Sequence, residues 1–140
     1  MGEKSILRIA ELLDKGVPVK KIRDVRGSCY LCPADKPEVH YPVATELDWE
    51  ELKEGGRAYA EAFGAQYREQ DAIGGRAIIE HYGDKILVQN PPMPPLEREE
   101  LDHVYALPYT RTYHPSYQKD GGVPGIEEVR FSITHNRGCF

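Results

Sequence analysis

The sequence predicts an α+β fold of short helices, one β-hairpin and long Pro- and Gly-rich loops. Three observations predict it. Apolar residues recur at helical spacing near the start of the chain, with Ile6, Ile9, Ala10 and Leu13 on one face. Two runs rich in Ile, Val and Tyr, "RAIIEHY" and "KILVQN", flank the two-residue turn Gly83-Asp84. Between such elements lie stretches in which 11 prolines and 13 glycines concentrate.

The elements follow in order. Ser5 to Lys15 reads as a helix, with Ser5 as its N-cap, Gly16 just past its end and Pro18 barring continuation. A strand is expected around Ser28 to Leu31. "PADKPEVHYPV" holds three prolines and is expected to be extended and irregular. From Thr45 to Gln70 the pattern is helical; Asp48 and Glu51 form a capping-box pair, and Gly55-Gly56 bends or breaks the run. After the hairpin, "PPMPPL" is a stiff connector. "EREELDHVYAL" is a further short helix with acidic residues in its first turn. An aromatic loop follows, and Ile126 to Thr134 alternates apolar and polar residues as a strand does. Elements this short on connectors this long read as an incomplete domain.

Composition narrows the function classes. The 140 residues carry a formal charge of −5 with 29 % charged residues, a soluble chain without the basic footprint of a nucleic-acid binder. Lys20, Lys21, Arg23 and Arg26 are a short basic cluster best read as a solvated face. No apolar run approaches the ~20 residues that cross a bilayer, and the start lacks a signal peptide. Three cysteines without a secretory leader suggest reduced thiols and a cytoplasmic setting.

Cys29 and Cys32 form a Cys-x-x-Cys pair. As a redox pair it should open a helix, which the following "PADKP" disfavours; as half of a zinc site it needs two more ligands, for which His40 and Cys139 have no common spacing. Two small apolar residues beside a strand are the blander reading. His114 stands in a loop, where local hydrogen bonding is as good an account as function. Tyr105, Tyr109, Tyr113 and Tyr117 recur every four residues, but Pro108 and Pro115 deny a helix and leave them as loop anchors.

Three longer strings, "IRDVRGSCYL", "LVQNPPMPPLEREELDHVYALPYTRTYHPSY" and "GGVPGIEEVRFSITHNRGCF", resemble the YgiQ-type family of radical SAM proteins. The resemblance runs over nearly the whole chain and is weakest between about Pro33 and Gly74. It implies that residues 1–125 precede the barrel, and that 126–140 supply the first strand of a (β/α) barrel and the start of its cluster loop. Cys139 matches the first cysteine of the family's Cys-x-x-x-Cys-x-x-Cys motif, and Phe140 the residue after it. The cofactors implied for the full-length family are a 4Fe–4S cluster and S-adenosylmethionine, cleaved to a 5′-deoxyadenosyl radical; three thiolates hold such a cluster and leave one iron open. The partner implied is the remainder of the barrel. With one motif cysteine in place, the chain itself is expected to bind neither cofactor and to be inactive, a fragment of the parent enzyme. The alternatives are an independent interaction module, suggested by the Pro- and Tyr-rich stretch from Pro91 to Tyr117, and a small zinc domain using Cys29 and Cys32.

Overall fold

The computed structural model describes residues 2–134. These divide after Glu97 into two compact units. The first opens with helix α1 (Glu3–Asp14) and a 3₁₀ turn (Val19–Lys21). Strands β1 (Cys29–Pro33) and β2 (Val43–Asp48), helices α2 (Trp49–Lys53) and α3 (Gly56–Arg68), and strands β3 (Ala77–Tyr82) and β4 (Lys85–Gln89) follow. The four strands form one mixed sheet in the order β1-β4-β3-β2. β3 and β4 are the expected hairpin, turning at Gly83 with φ 59°. β1 adds antiparallel to β4, so Cys32 sits opposite Ile86. β2 runs parallel to β3, which requires a crossover, and α2 with α3 supplies it.

β2 corrects the sequence reading, which placed Thr45 to Asp48 in a helix. Its residues alternate Thr45, Glu46, Leu47, Asp48, and parallel pairing to β3 satisfies their backbone where an isolated turn of helix would not. The helical run starts after them. Asp48 caps α2 by accepting from the Glu50 amide at 2.7 Å. The expected break falls at Gly55 and Gly56, both at positive φ (73° and 58°), a region that glycine enters without a Cβ clash.

One sheet face carries a compact hydrophobic cluster. Cys32, Ile79, Ile86 and Val88 are buried there, and Tyr30, Ala34 and Val39 pack onto them. The irregular stretch 34–42, as expected from its prolines, is the lid over this face. On the opposite face the Trp49 ring of α2 lies 5.5 Å from that of Tyr82.

α1 forms where expected but is held differently. Gly2, not Ser5, precedes its first turn. Ser5 is the helix's buried residue, while Ile6 and Leu13 of the predicted apolar face remain 61 % and 44 % exposed.

The second unit contains α4 (Arg98–Ala106), a 3₁₀ turn (Pro115–Asp120) and α5 (Gly125–Val129). α5 corrects the strand expected over Ile126 to Thr134. A strand needs a neighbour for its N–H and C=O groups, and no strand occurs among the described residues of this unit. The backbone closes on itself instead: the amides of Ile126 and Glu127 donate to Val123 O and Pro124 O at 3.1 Å each. The alternation that suggested a strand leaves Val129, Phe131 and Ile133 56 %, 89 % and 86 % exposed.

Candidate functional site

The most highly determined polar centre joins "IRDVRGS" to "QNPPM", segments of two strings that carry the family resemblance. β4 ends at Gln89, and Asn90, 2 % exposed, projects into the turn that leads into β1. Its Nδ2 donates to the carbonyls of Arg23 and Val25 at 2.9 Å each and approaches Ser28 Oγ at 3.3 Å. Three acceptors around one nitrogen fix the orientation of the amide. The Ser28 hydroxyl in turn donates to Val25 O at 2.6 Å. Among the buried side-chain polar atoms described, Asn90 Oδ1 has no partner.

Backbone pairs extend the join. The Gly27 amide donates to Pro91 O at 2.8 Å, and Asn90 N to Ser28 O at 3.0 Å. Gly27 has φ 72°, and a Cβ on it would lie 2.7 Å from Ser5 Oγ. That close approach lets the Ser5 hydroxyl donate to Arg26 O at 2.9 Å, fastening α1 to the same turn. Arg26 reaches further, from Nε to Pro92 O at 2.8 Å and from Nη2 to Ala72 O at 2.9 Å.

Around this centre two arginines lie over two tyrosines. The Arg23 guanidinium is 5.5 Å from the Tyr30 ring centre and pairs with Glu38 at 3.0 Å; Arg26 is 5.8 Å from Tyr41. The Tyr30 hydroxyl donates to Glu38 O and that of Tyr41 to Asp24 O. Burial, aided by the neighbouring Cys32 and partly opposed by Arg23, pushes the Tyr30 phenol up to about 12, so it stays neutral. These contacts clip the 34–42 stretch to the sheet. Arg23 and Arg26, read from sequence as a solvated face, are structural clamps.

A second fixed loop joins α3 to β3. The Glu69 carboxylate accepts from Arg76 Nη2 at 2.8 Å and from the Arg76 amide at 2.7 Å. Those two bonds, the side-chain one foremost, hold its pKa below the usual carboxylate range. Asp71 is lowered likewise by the amides of Ile73 and Gly74.

The sequence candidates are not brought together. Cys29 and Cys32 stand three positions apart on β1, so their side chains leave opposite faces of the sheet: Cys29 is exposed and Cys32 is in the core. Desolvation pushes the Cys29 thiol up, against a role as a thiolate. His40 is exposed on the 34–42 stretch. His114 Nδ1 accepts from the Ser116 amide at 3.2 Å and caps the 3₁₀ turn, the local role that sequence allowed. Tyr113 donates to Gln118 at 2.9 Å, while Tyr105, Tyr109 and Tyr117 are about half exposed. No group of three or more His, Cys, Asp or Glu residues among the described residues is arranged to hold a metal ion. Cys139 and Phe140 lie outside the described residues, as does His135. Among the described residues no helix is long and apolar enough to cross a membrane.

The Asn90 centre was not foreseen from sequence. An Asn directly after a β run and before two prolines was its signal, since it stands where a strand ends and the chain can offer no further amide donor until Met93.

A hydrogen-bond network thus ties residues from Ser5 to Pro92 together. The chain is 46 % identical over 140 residues to a UPF0313 protein of Clostridium botulinum (strain 657 / Type Ba4), which covers all of this chain and 22 % of the relative. It is 47 % identical over 140 residues to a UPF0313 protein of Clostridium perfringens (strain ATCC 13124), covering 99 % of this chain and 21 % of the relative. The chain thus spans about a fifth of the length of the curated relatives it matches. No solved structure matches. The family described as Radical SAM N-terminal matches residues 1–132, almost the whole of the sequence and all of the Asn90 network, and the chain belongs to that family.

Proposed function

We propose that this chain is the segment of a radical SAM protein that leads into the barrel, and that the protein as a whole holds a 4Fe–4S cluster and cleaves S-adenosylmethionine. The observation that carries the reading is the family match over residues 1–132. The cluster, when bound, supplies the electron that opens the sulfonium. Cys139 is its first ligand by resemblance, and the remainder of the barrel is the partner of this segment. The reading places the protein in the cytoplasm, where thiols stay reduced.

The described residues do not fit the cluster. Three thiolates must converge on it, whereas Cys29 and Cys32 point to opposite faces of β1. No catalytic step is therefore assigned to these residues. Their work is to order the join between α1, the sheet and the prolines after β4.

Anaerobic reconstitution with iron and sulfide tests the reading. The 140-residue chain is expected to show no stoichiometric four-iron absorbance and no cleavage of S-adenosylmethionine. A full-length protein carrying this sequence is expected to take up the cluster and to lose it on Cys139→Ala. Cleavage by the isolated chain would overturn the assignment, as would a cluster that survives loss of Cys139.

A second reading, a non-enzymatic interaction module, has in its favour the exposure of Tyr105, Tyr109 and Tyr117 (45 %, 53 % and 51 %). Full-length protein that takes up no cluster, together with an isolated chain that sediments as a compact monomer and unfolds cooperatively, would select it.

A further inference from the structure

α3 is built with small residues inside and aromatic residues outside. Ala58, Ala62, Ala65 and the helix-ending Glu69 follow one another at spacings of four, three and four, and they form its covered side: Ala62, Ala65 and Glu69 are buried and Ala58 is half-buried. Alanines there let the helix lie close to the β2 side of the sheet, which it contacts. Tyr59, Phe63 and Tyr67, each four residues apart, are each 64 % exposed, and the Phe63 and Tyr67 rings stack at 6.3 Å. At 100° per residue the centre of this stripe lies about 160° around the helix from Ala65.

The aromatic stripe is not the helix's water-facing side by default, because α3 already has one. Arg57, Glu61 and Arg68 form a separate charged stripe, in which Arg57 pairs with Glu61 at 2.6 Å. The helix therefore presents a covered face, a charged face and an aromatic face. An amphipathic helix needs only the first two.

We propose that the Tyr59–Phe63–Tyr67 face is a docking surface for another segment of the same polypeptide, an apolar element of the part that the relatives possess beyond this stretch. Two observations select that occupant over a second copy. The relatives extend over more than four times the length matched here, since the match is 22 % of one and 21 % of the other. The stripe is also too small for a dimer. At about 200 Å² per aromatic side chain it exposes roughly 400 Å². Two copies face to face would bury about 800 Å², short of the ~1,200 Å² at which stable complexes begin. A segment tethered in the same chain acts at an effective concentration of about millimolar, which compensates for an area of this size. The inference rests on the reading of the chain as one part of a longer protein, but not on its iron chemistry.

Tyrosine nitration by tetranitromethane, mapped by mass spectrometry and normalised to unfolded samples, tests it on the 140-residue chain and on a full-length protein carrying the same sequence. Tyr59 and Tyr67 are expected to react about tenfold more slowly in the full-length protein, the occlusion that ~1.4 kcal/mol of docking gives. Phe63→Asp in the full-length protein is expected to restore the fast rates while leaving the helical circular dichroism unchanged. Equal rates in the two proteins would overturn the proposal. So would slow rates that Phe63→Asp leaves slow, or an isolated chain whose sedimentation shows a dimer that Phe63→Asp dissolves. None of these readouts involves iron or S-adenosylmethionine, so a failure here is distinguishable from a failure of the radical SAM reading.

Discussion

Asn90 holds two stretches of chain together with one amide. Its nitrogen faces the carbonyls of Arg23 and Val25, so Asn90→Asp would put a carboxylate oxygen against two acceptors in a site that is 2 % exposed. We expect a loss of about 3 kcal/mol or more in urea unfolding, the cost of a buried charge without a donor. Ser28→Ala, which removes the 2.6 Å bond to Val25 O, should cost about 1 kcal/mol. Glu69 gives the pH dependence. Its folded pKa is depressed by Arg76, so its contribution is complete above the unfolded value of about 4.3 and is lost as the pH falls through the folded value. The urea midpoint should therefore fall as the pH drops below about 5, and Glu69→Gln should flatten that fall, leaving the decline that Asp71 contributes in the same direction.

At the scale of elements, the strand geometry of β1 decides what its cysteines do. Period-two alternation sends Cys32 into the core beside Ile86 and Val88 and Cys29 outward. Cys32→Ser should cost about 2 kcal/mol by burying a hydroxyl among apolar groups. Cys29→Ser should stay within about 0.5 kcal/mol of the parent. Thiol titration of the native protein should label Cys29 well ahead of Cys32, and equal rates would contradict the assignment of faces. Long, strongly patterned elements were legible beforehand: α1, the β3–β4 hairpin, α4 and the break at Gly55-Gly56 stand where their periodicity and glycines put them. β2 was not, because Thr45 to Asp48, the mostly polar last four residues of this six-residue strand, take their strand character from the neighbour β3 rather than from their own pattern.

For the whole molecule, the residues 126–134 show most clearly how a pattern and a structure part company. Val129, Phe131 and Ile133 alternate as a buried strand would, yet no neighbouring strand exists among the described residues of that unit; Val129 ends the helical turn Gly125–Val129, and Phe131 and Ile133 lie beyond it, exposed. Amide hydrogen exchange over residues 130–134 of this chain should accordingly run within about tenfold of unstructured-peptide rates. The family was legible from sequence, because it is carried by long strings of residue identity that need no folding to be read, and the match over residues 1–132 agrees with it. The sequence by itself also determined the α+β class, through local periodicities of about 3.6 and 2. Only the tertiary structure decided that Cys29 and Cys32 diverge, that Arg23 and Arg26 clamp a loop, that Asn90 is the centre of the join and that α3 turns its aromatics outward. Each of those depends on which distant segment lies opposite a residue, and spacing along the chain holds no record of that.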